Sequence, residues 1–148
     1  MRPGFLAVMA AALLLTGPFA LGAPADPIGI VTSMAGKVTI TRGGETLRGK
    51  TNLKLFAGDA IQTGSNGKVG LILEDDTAIS LGQNSRLALE KYLFHPSDKE
   101  FSFITRVFQG TVSILCGAIA RLAPHQVRIE TPYATVGVRG THVLIRVD

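Results

Sequence analysis

The sequence has few of the residues that form covalent frameworks or aromatic binding surfaces. It contains one cysteine and no tryptophan among 148 residues, so an internal disulfide cannot form. Its 15 lysines and arginines give a formal net charge of +4, but no two of them are adjacent. Sites for nucleic acids combine clustered cations with stacking rings. We therefore expect no nucleic-acid partner, despite the basic charge.

Histidines are also scarce and dispersed. His95, His125 and His142 lie in different segments, and no two His or Cys residues have the spacing of zinc ligands. His142 falls on the polar side of a predicted strand, close to Arg139, where a solvated histidine is more common than a catalytic one. The sequence therefore predicts no enzyme activity, no metal and no cofactor. An enzyme would require a carboxylate within hydrogen-bond reach of His142 in a cleft.

The N-terminal segment has the layout of a secretory signal peptide. Arg2 precedes the apolar run Phe5–Leu15, which ends at the helix-breaking Gly17-Pro18. The run is shorter than the roughly 20 apolar residues that a membrane-spanning helix needs, so we expect a cleaved leader rather than an anchor. The predicted division is a signal peptide at 1–25 and one domain at 26–148.

Two cleavage sites fit the small residues that follow the apolar run. Cleavage after Ala25 is favoured, because Ala23-Pro24-Ala25 has the small-x-small form, and cleavage after Gly22 is the alternative. Either site predicts a periplasmic or secreted protein without a stable membrane anchor.

After the leader, apolar residues recur at every second position in short runs, which is the pattern of half-buried strands. The runs are Val38/Ile40, Val69/Leu71/Leu73, Ile79/Leu81, Leu87/Leu89, Phe101/Phe103, Val112/Ile114, Val127/Ile129, Val136/Val138 and Val143/Ile145/Val147. Glycine, asparagine and aspartate, which tolerate the backbone of tight turns, fall between these runs. We expect an all-β domain of many short strands, arranged as a sandwich or a small solenoid-like stack.

Three segments need separate interpretation. Lys91–Glu100 combines a proline with charges, and we predict an exposed connection between two β subdivisions. Within Cys116–Pro124 a short helical turn could replace a strand. Cys116 itself is predicted to be a buried apolar residue, with an intermolecular disulfide as the alternative. Glu74-Asp75-Asp76 is predicted to be a charged hairpin turn rather than a calcium site, because calcium loops space their ligands at alternate positions.

The order of motifs resembles the FecR-type domain. Its G-D-x-I-x-T-G turn corresponds to Gly58-Asp59-Ala60-Ile61-Gln62-Thr63-Gly64, and a strand, an acidic turn and a second strand follow as far as Leu81. Further matching motifs are Gly36-Lys37-Val38, Asn84-Ser85-Arg86-Leu87, Phe108-Gln109-Gly110-Thr111-Val112 and the segment Thr131–Thr141, which ends in Val-Arg-Gly-Thr. One departure is the acidic turn, which reads Glu-Asp-Asp-Thr where the family usually has Asp-Gly-Ser.

The resemblance implies a limited set of functions. The name-giving members are inner-membrane sensors whose periplasmic part receives a signal from an outer-membrane receptor. This chain resembles that periplasmic module alone, and control of a sigma factor does not carry over to it. We place it with the free-standing exported relatives.

The segment Arg139-Gly140-Thr141-His142 is a candidate interaction or structural motif. Gly140 would permit a bulge or turn, Thr141 would begin the final strand, and Arg139 could pair with Glu130 on a neighbouring strand. A structural role is favoured, and binding of a carboxylate or sugar acid by Arg139 is the alternative.

Together these features predict an exported, non-enzymatic protein-interaction or signal-sensing module of the periplasm or envelope. Its partner is expected to be another periplasmic or envelope protein, bound through a polar sheet face or an exposed strand edge. The alternative is a carbohydrate-binding module that uses Tyr92, Tyr133 and surface arginines, although the absence of tryptophan disfavours it.

Overall fold

A computed structural model describes residues 25–138 and 140–148. The predicted leader therefore lies outside the described residues, apart from Ala25. The described chain forms 12 strands and one short helix, which confirms the all-β prediction. The strands are β1 Gly29–Ala35, β2 Val38–Arg42, β3 Glu45–Arg48, β4 Lys54–Leu55, β5 Ala60–Thr63, β6 Lys68–Leu73, β7 Ala78–Leu81, β8 Arg86–His95, β9 Glu100–Leu115, β10 Val127–Glu130, β11 Thr135–Gly137 and β12 His142–Val147, and helix α1 is Ala118–Leu122.

The strands form two sheets that share β9. Sheet A has the order β4-β1-β6-β7-β9-β12, with the second half of β9. Sheet B has the order β3-β2-β5-β8-β9-β10-β11, with the first half of β9. All of these pairs are antiparallel except β9 with β10. The inner faces of both sheets contribute to one hydrophobic core.

The two-residue periodicity defines this core. In β6, Val69, Leu71 and Leu73 are buried, and in β7 Ile79 and Leu81 are buried opposite them. Successive side chains of a strand point to opposite faces, so the alternating apolar residues all reach the interior. The alternation therefore predicted the buried face of these strands correctly.

Strand β9 passes from one sheet to the other at Gly110. It pairs with β8 as far as Gln109 and with β7 from Val112. Gly110 has φ +92°, and a Cβ at this position would collide with Ser85. The Ser85 hydroxyl also accepts a hydrogen bond from the amide of Thr111 at 3.0 Å. Only glycine meets both demands, the positive φ and the close approach, without strain.

The prediction of an exposed connection over Lys91–Glu100 was wrong. Strand β8 continues to His95, a 3-10 turn at Pro96–Asp98 reverses the chain, and β9 begins at Glu100. Aromatic side chains extend the hairpin, because Tyr92 packs edge-on against Phe103 with ring centroids 5.9 Å apart, and the next pair, Phe94 and Phe101, follows at 6.1 Å. Such cross-strand aromatic pairs stabilise a hairpin. The two β subdivisions instead meet at Gly110.

The segment after β9 contains the predicted helical turn, which is α1. Cys116 precedes it and is half-buried rather than fully buried, because it lies where β9 ends at the margin of the core. Burial, and then the negative charge of Asp75, raises the pKa of the Cys116 thiol. The thiol is therefore a weak nucleophile at neutral pH.

Candidate functional site

The described residues of the candidate motif, Gly140, Thr141 and His142, lead into β12. Arg139 lies outside the described residues. Gly140 has φ +111°, which agrees with the predicted turn. The carbonyl of Thr141 accepts a hydrogen bond from the amide of Cys116 at 2.7 Å, and β12 begins one residue later, at His142. These contacts place the backbone of Thr141 beside the end of β9, where the last strand of sheet A begins.

Glu130, the predicted partner of Arg139, has other partners in the structure. Its carboxylate contacts Arg106 at 2.8 Å and Arg128 at 3.8 Å. The pairing between Arg139 and Glu130 stays a prediction, because Arg139 lies outside the described residues.

His142 has a partner that the sequence did not reveal. Its Nε2 lies 2.7 Å from the hydroxyl oxygen of Ser113, the residue of β9 opposite Leu144. Among the described residues, no carboxylate hydrogen-bonds to the His142 ring. A nucleophile and a base need a third group that orients the base. The Ser113–His142 pair on this exposed surface therefore lacks the arrangement that activates a serine.

The acidic turn joins β6 to β7 as the predicted hairpin turn, with Glu74 and Asp76 exposed, but Asp75 is buried. Its side chain is 2% exposed. The carboxylate accepts hydrogen bonds from the hydroxyls of Tyr92 and Thr77, each at 2.8 Å. It also accepts one from the amide of Ile119 in α1, at 3.0 Å. Asp75 therefore joins a turn of sheet A to a strand of sheet B and to the helix.

This position removes Tyr92 from the surface proposed for carbohydrate contacts. Its ring is 9% exposed, and its hydroxyl lies at Asp75. Burial first, and then the hydrogen bond to Asp75, raises the pKa of Tyr92 well above its usual range. Tyr133, at 80% exposure, does lie on the surface, in the turn between β10 and β11. A platform built from both tyrosines is therefore not formed.

Sheet A carries an exposed apolar surface on its outer side. We call it the apolar face, and it consists of Ile30, Ile72, Leu115 and Leu144, which are 40%, 41%, 51% and 68% exposed. Ile30 lies opposite Ile72, Ile72 lies opposite Ala78, and Ala78 lies opposite Leu115. Leu144 lies in the adjacent row on β12. Because these rows are contiguous, the four side chains form one surface that crosses sheet A.

Charged residues surround the apolar face. Lys54 lies opposite Ile30 at one end, and the exposed Lys68 and Arg146 project from the same side of β6 and β12. Glu74 and Asp76 lie exposed next to Ile72, beside a shallow cavity of about 320 Å³ that Ile30 and Ile72 help to line. An apolar centre with a polar rim is the usual anatomy of a protein interface.

Alternation of apolar and polar residues does not predict the apolar face. Its members interrupt that alternation in consecutive apolar runs: Ile30-Val31, Leu71-Ile72-Leu73, Ile114-Leu115 and Val143-Leu144-Ile145. A strand with apolar side chains on both faces is typically covered by other residues on both faces. These consecutive apolar runs are the feature of the sequence that could have indicated the apolar face.

The outer side of sheet B is polar by contrast. Arg106 pairs with Glu130 at 2.8 Å and with Glu90 at 3.3 Å. The Arg86 guanidinium stacks over the Phe108 ring at 4.9 Å. Among the described residues, the strands of sheet B, with β9 counted as far as Gln109, expose no large apolar side chain. On the polar face of sheet B, which the sequence favoured for binding, these charged side chains therefore already pair with one another.

Within residues 25–138 and 140–148, no three His, Cys, Asp or Glu side chains come together as a metal site would require. No helix in the same part of the chain has the length and apolar character needed to cross a membrane.

Comparisons with known proteins identify one family. A family model described as FecR protein matches residues 59–148. No curated protein and no solved structure matches the chain. The matched region begins at the Gly-Asp turn, where the Asp59 carboxylate is fully buried and accepts two hydrogen bonds from Arg42, at 2.9 and 2.8 Å. It ends with β12, so it contains most of the motifs that carry the resemblance.

Proposed function

Because the chain belongs to the FecR family, we propose that it is an exported, non-enzymatic protein-interaction or signal-sensing module of the periplasm or cell envelope. It binds another protein of that compartment through the apolar face of sheet A. The observation that carries this proposal is the contiguous surface of Ile30, Ile72, Leu115 and Leu144 on the outer side of one sheet. Contiguous exposed apolar surfaces on folded proteins mark interaction sites.

The binding surface differs from the polar face expected from the sequence. On sheet B, the Arg106 and Glu130 charges already pair with each other, and a partner would have to displace or desolvate them. On sheet A, a partner would cover apolar side chains that water now contacts, which is favourable. The mixed charges at the rim, Lys54 and Lys68 with Glu74 and Asp76, would set the orientation of the partner.

The site also disfavours the two other classes of function. The Ser113–His142 pair has no orienting carboxylate among the described residues, so the geometry offers no activated nucleophile. Tyr92 lies in the core, which leaves Tyr133 without a second ring for a sugar platform.

Cross-linking followed by pull-down from the envelope fraction tests the proposal. The full chain serves as bait, together with the double variant Ile72→Thr/Leu115→Thr. Threonine keeps the preference for strands while removing most of the apolar area. The matched control is Arg86→Gln, on the outer side of sheet B. We expect the wild type and the control to recover the same protein, and the double variant to recover at least about tenfold less, because each apolar side chain contributes over 1 kcal/mol when buried.

Equal recovery by the double variant and the wild type would contradict the proposal. Loss of the recovered protein with Arg86→Gln, and not with the double variant, would move the binding surface to sheet B. Circular dichroism of each bait establishes that the variants are folded before recovery is compared.

A further inference from the structure

Strand β12 differs from the other edges of the two sheets. In the described residues, β3 is an edge of four residues that begins and ends with charges, β4 has two residues, and β11 has three. Strand β12 has six residues and pairs with β9 alone. It is therefore the longest edge with backbone groups open to a further strand.

Most of the usual protections of an edge are missing from β12, and its exposed arginine, Arg146, is paired with Asp148. Natural edges are shortened, bulged or supplied with lysine or proline, which prevents pairing with another chain. The residues His142–Val147 include neither lysine nor proline, and their register with β9 runs without a shift from end to end. Leu144, 68% exposed, lies at the centre of this edge. Such a strand is suited to receive a partner strand.

The backbone pattern identifies which residues would bond to that strand. The amide of Cys116 donates to the carbonyl of Thr141, so residues 141, 143, 145 and 147 direct their backbone groups toward β9, since antiparallel pairs alternate. The backbone N–H and C=O groups of His142, Leu144 and Arg146 consequently point outward. The side chains of these three residues lie on the outer side of sheet A, next to the apolar face.

We infer that β12 pairs with β12 of a second copy of this chain, antiparallel and with the two-fold axis at Ile145. In this register His142 lies opposite Asp148 of the second copy, and Leu144 lies opposite its Arg146. The side chains of His142, Leu144, Arg146 and Asp148 in one copy therefore face Asp148, Arg146, Leu144 and His142 of the second copy, in that order. An imidazole meets a carboxylate at both ends, and a leucine meets the aliphatic stem of an arginine at both central positions.

Charge and exposure favour a second copy as the occupant. Arg146 and Asp148 already contact each other at 3.1 Å while 78% and 89% exposed, so one edge carries no net charge and does not repel another. A two-fold axis uses the same patch on both subunits, which a self-complementary strand permits. The pairing would join two copies of sheet A into one sheet and place their apolar faces side by side. This inference goes beyond the proposed function and does not depend on it.

Light scattering after size-exclusion chromatography, across a concentration series, tests the pairing on the full chain as the cell processes it. We expect a concentration-dependent dimer for the wild type and a monomer for Leu144→Lys at the same concentrations, since an edge lysine opposes strand addition. The matched control is Ser80→Lys, on the same outer side but inside the sheet on β7. It should remain a dimer.

Two results would overturn the inference. One is a wild type that stays monomeric at concentrations up to about 1 mM. The other is loss of the dimer with Ser80→Lys as well as with Leu144→Lys, which would indicate stacking of the sheet faces rather than pairing of their edges.

Disulfide trapping tests the register. In a Cys116→Ser background, one chain carries Leu144→Cys and another carries Arg146→Cys. The mixture should form mixed disulfides faster than either variant alone, because directly opposite residues of a hydrogen-bonded pair lie about 5.5 Å apart between Cα atoms. Faster self-linking of Leu144→Cys would overturn the Ile145-centred pairing. The Leu115→Thr variant, which weakens the proposed site for the envelope protein, should still dimerise. Loss of envelope-protein binding and loss of the dimer can therefore be distinguished.

Discussion

The outer sides of the two sheets differ in polarity, although strand β9 belongs to both sheets. Sheet A presents Ile72 and Leu115 to solvent, whereas sheet B presents the ion pair of Arg106 with Glu130. The inner sides are alike, and together they form one core. Since burial of the core requires only one apolar side per strand, the apolar residues on the outer side of sheet A are not explained by folding. This contrast is the physical basis for assigning binding to sheet A.

The contrast assumes that the sheets fold as one unit, and Gly110 provides the strongest test. Gly110→Val should lower the free energy of unfolding by at least about 3 kcal/mol, because the positive φ becomes strained and the side chain overlaps Ser85. Chemical denaturation followed by fluorescence and circular dichroism measures the effect. Hydrogen exchange should show both sheets losing protection together.

The control for this substitution is Gly137→Ala in β11, where a Cβ has open space and the backbone does not have positive φ. It should change stability by less than about 0.5 kcal/mol. Loss of protection in sheet A alone after Gly110→Val would mean that the two sheets are separate units.

A second expected loss concerns the buried carboxylate that links the sheets. Asp75→Asn should cost about 1–3 kcal/mol, because an amide cannot accept all three hydrogen bonds from Tyr92, Thr77 and Ile119. Thermal and denaturant unfolding measure the change. The neighbouring Asp76→Asn is the matched control, since Asp76 is exposed with φ +67°, a conformation that asparagine tolerates. Equal effects of the two substitutions would contradict the role assigned to Asp75.

The raised pKa of Tyr92 predicts a loss of stability at alkaline pH. The unfolded tyrosine releases its proton near pH 10, while the folded one keeps it. The unfolded state then binds fewer protons, so stability should fall above pH 10, by up to about 1.4 kcal/mol per pH unit from this group. Denaturant unfolding between pH 9 and 11 measures the slope.

The Tyr92→Phe variant is the control for the fall in the free energy of unfolding at alkaline pH. It should be less stable than the wild type at pH 9, because Asp75 loses a donor, but its stability should fall less steeply above pH 10. Identical slopes would show that Tyr92 ionises equally well in the folded protein.

The sequence predicted the parts of the fold that depend on neighbouring residues. Alternation located the buried side of β6 and β7, and the glycine-rich turns located most strand ends. Gly110 lies between two apolar runs, as a turn glycine would, and the sequence does not distinguish such a turn from a strand that changes sheets. Two partners of Asp75, Tyr92 and Ile119, are 17 and 44 residues away, so the sequence predicted the charged turn but not the burial of Asp75. Only the fold brings Tyr92 and Ile119 to it.

The candidate site was harder to predict because it combines residues of four strands, β1, β6, β9 and β12, from distant parts of the chain. Each residue of the apolar face is a single apolar residue at a position where the alternation predicts a polar one, such as Ile72 between Leu71 and Leu73. Single exposed apolar residues are common on protein surfaces. Their significance arises from the register, which places Ile30 opposite Ile72 and links Ile72 through Ala78 to Leu115.

The smallest expected effect belongs to the charged side of sheet B. Arg106→Gln removes two ion pairs, with Glu130 and Glu90, yet it should lower stability less than Gly110→Val or Asp75→Asn does, because the pairs are exposed to solvent and each side chain loses freedom to form them. Unfolding at low and high salt measures this, and the wild type and variant should converge as salt screens the charges. Arg146→Gln, which changes a more exposed arginine on the edge of sheet A, should change stability as little while altering dimerisation. If Arg106→Gln instead abolished recovery of the envelope protein, the ion pairs of sheet B would belong to the binding surface, and the apolar side of sheet A would need another explanation.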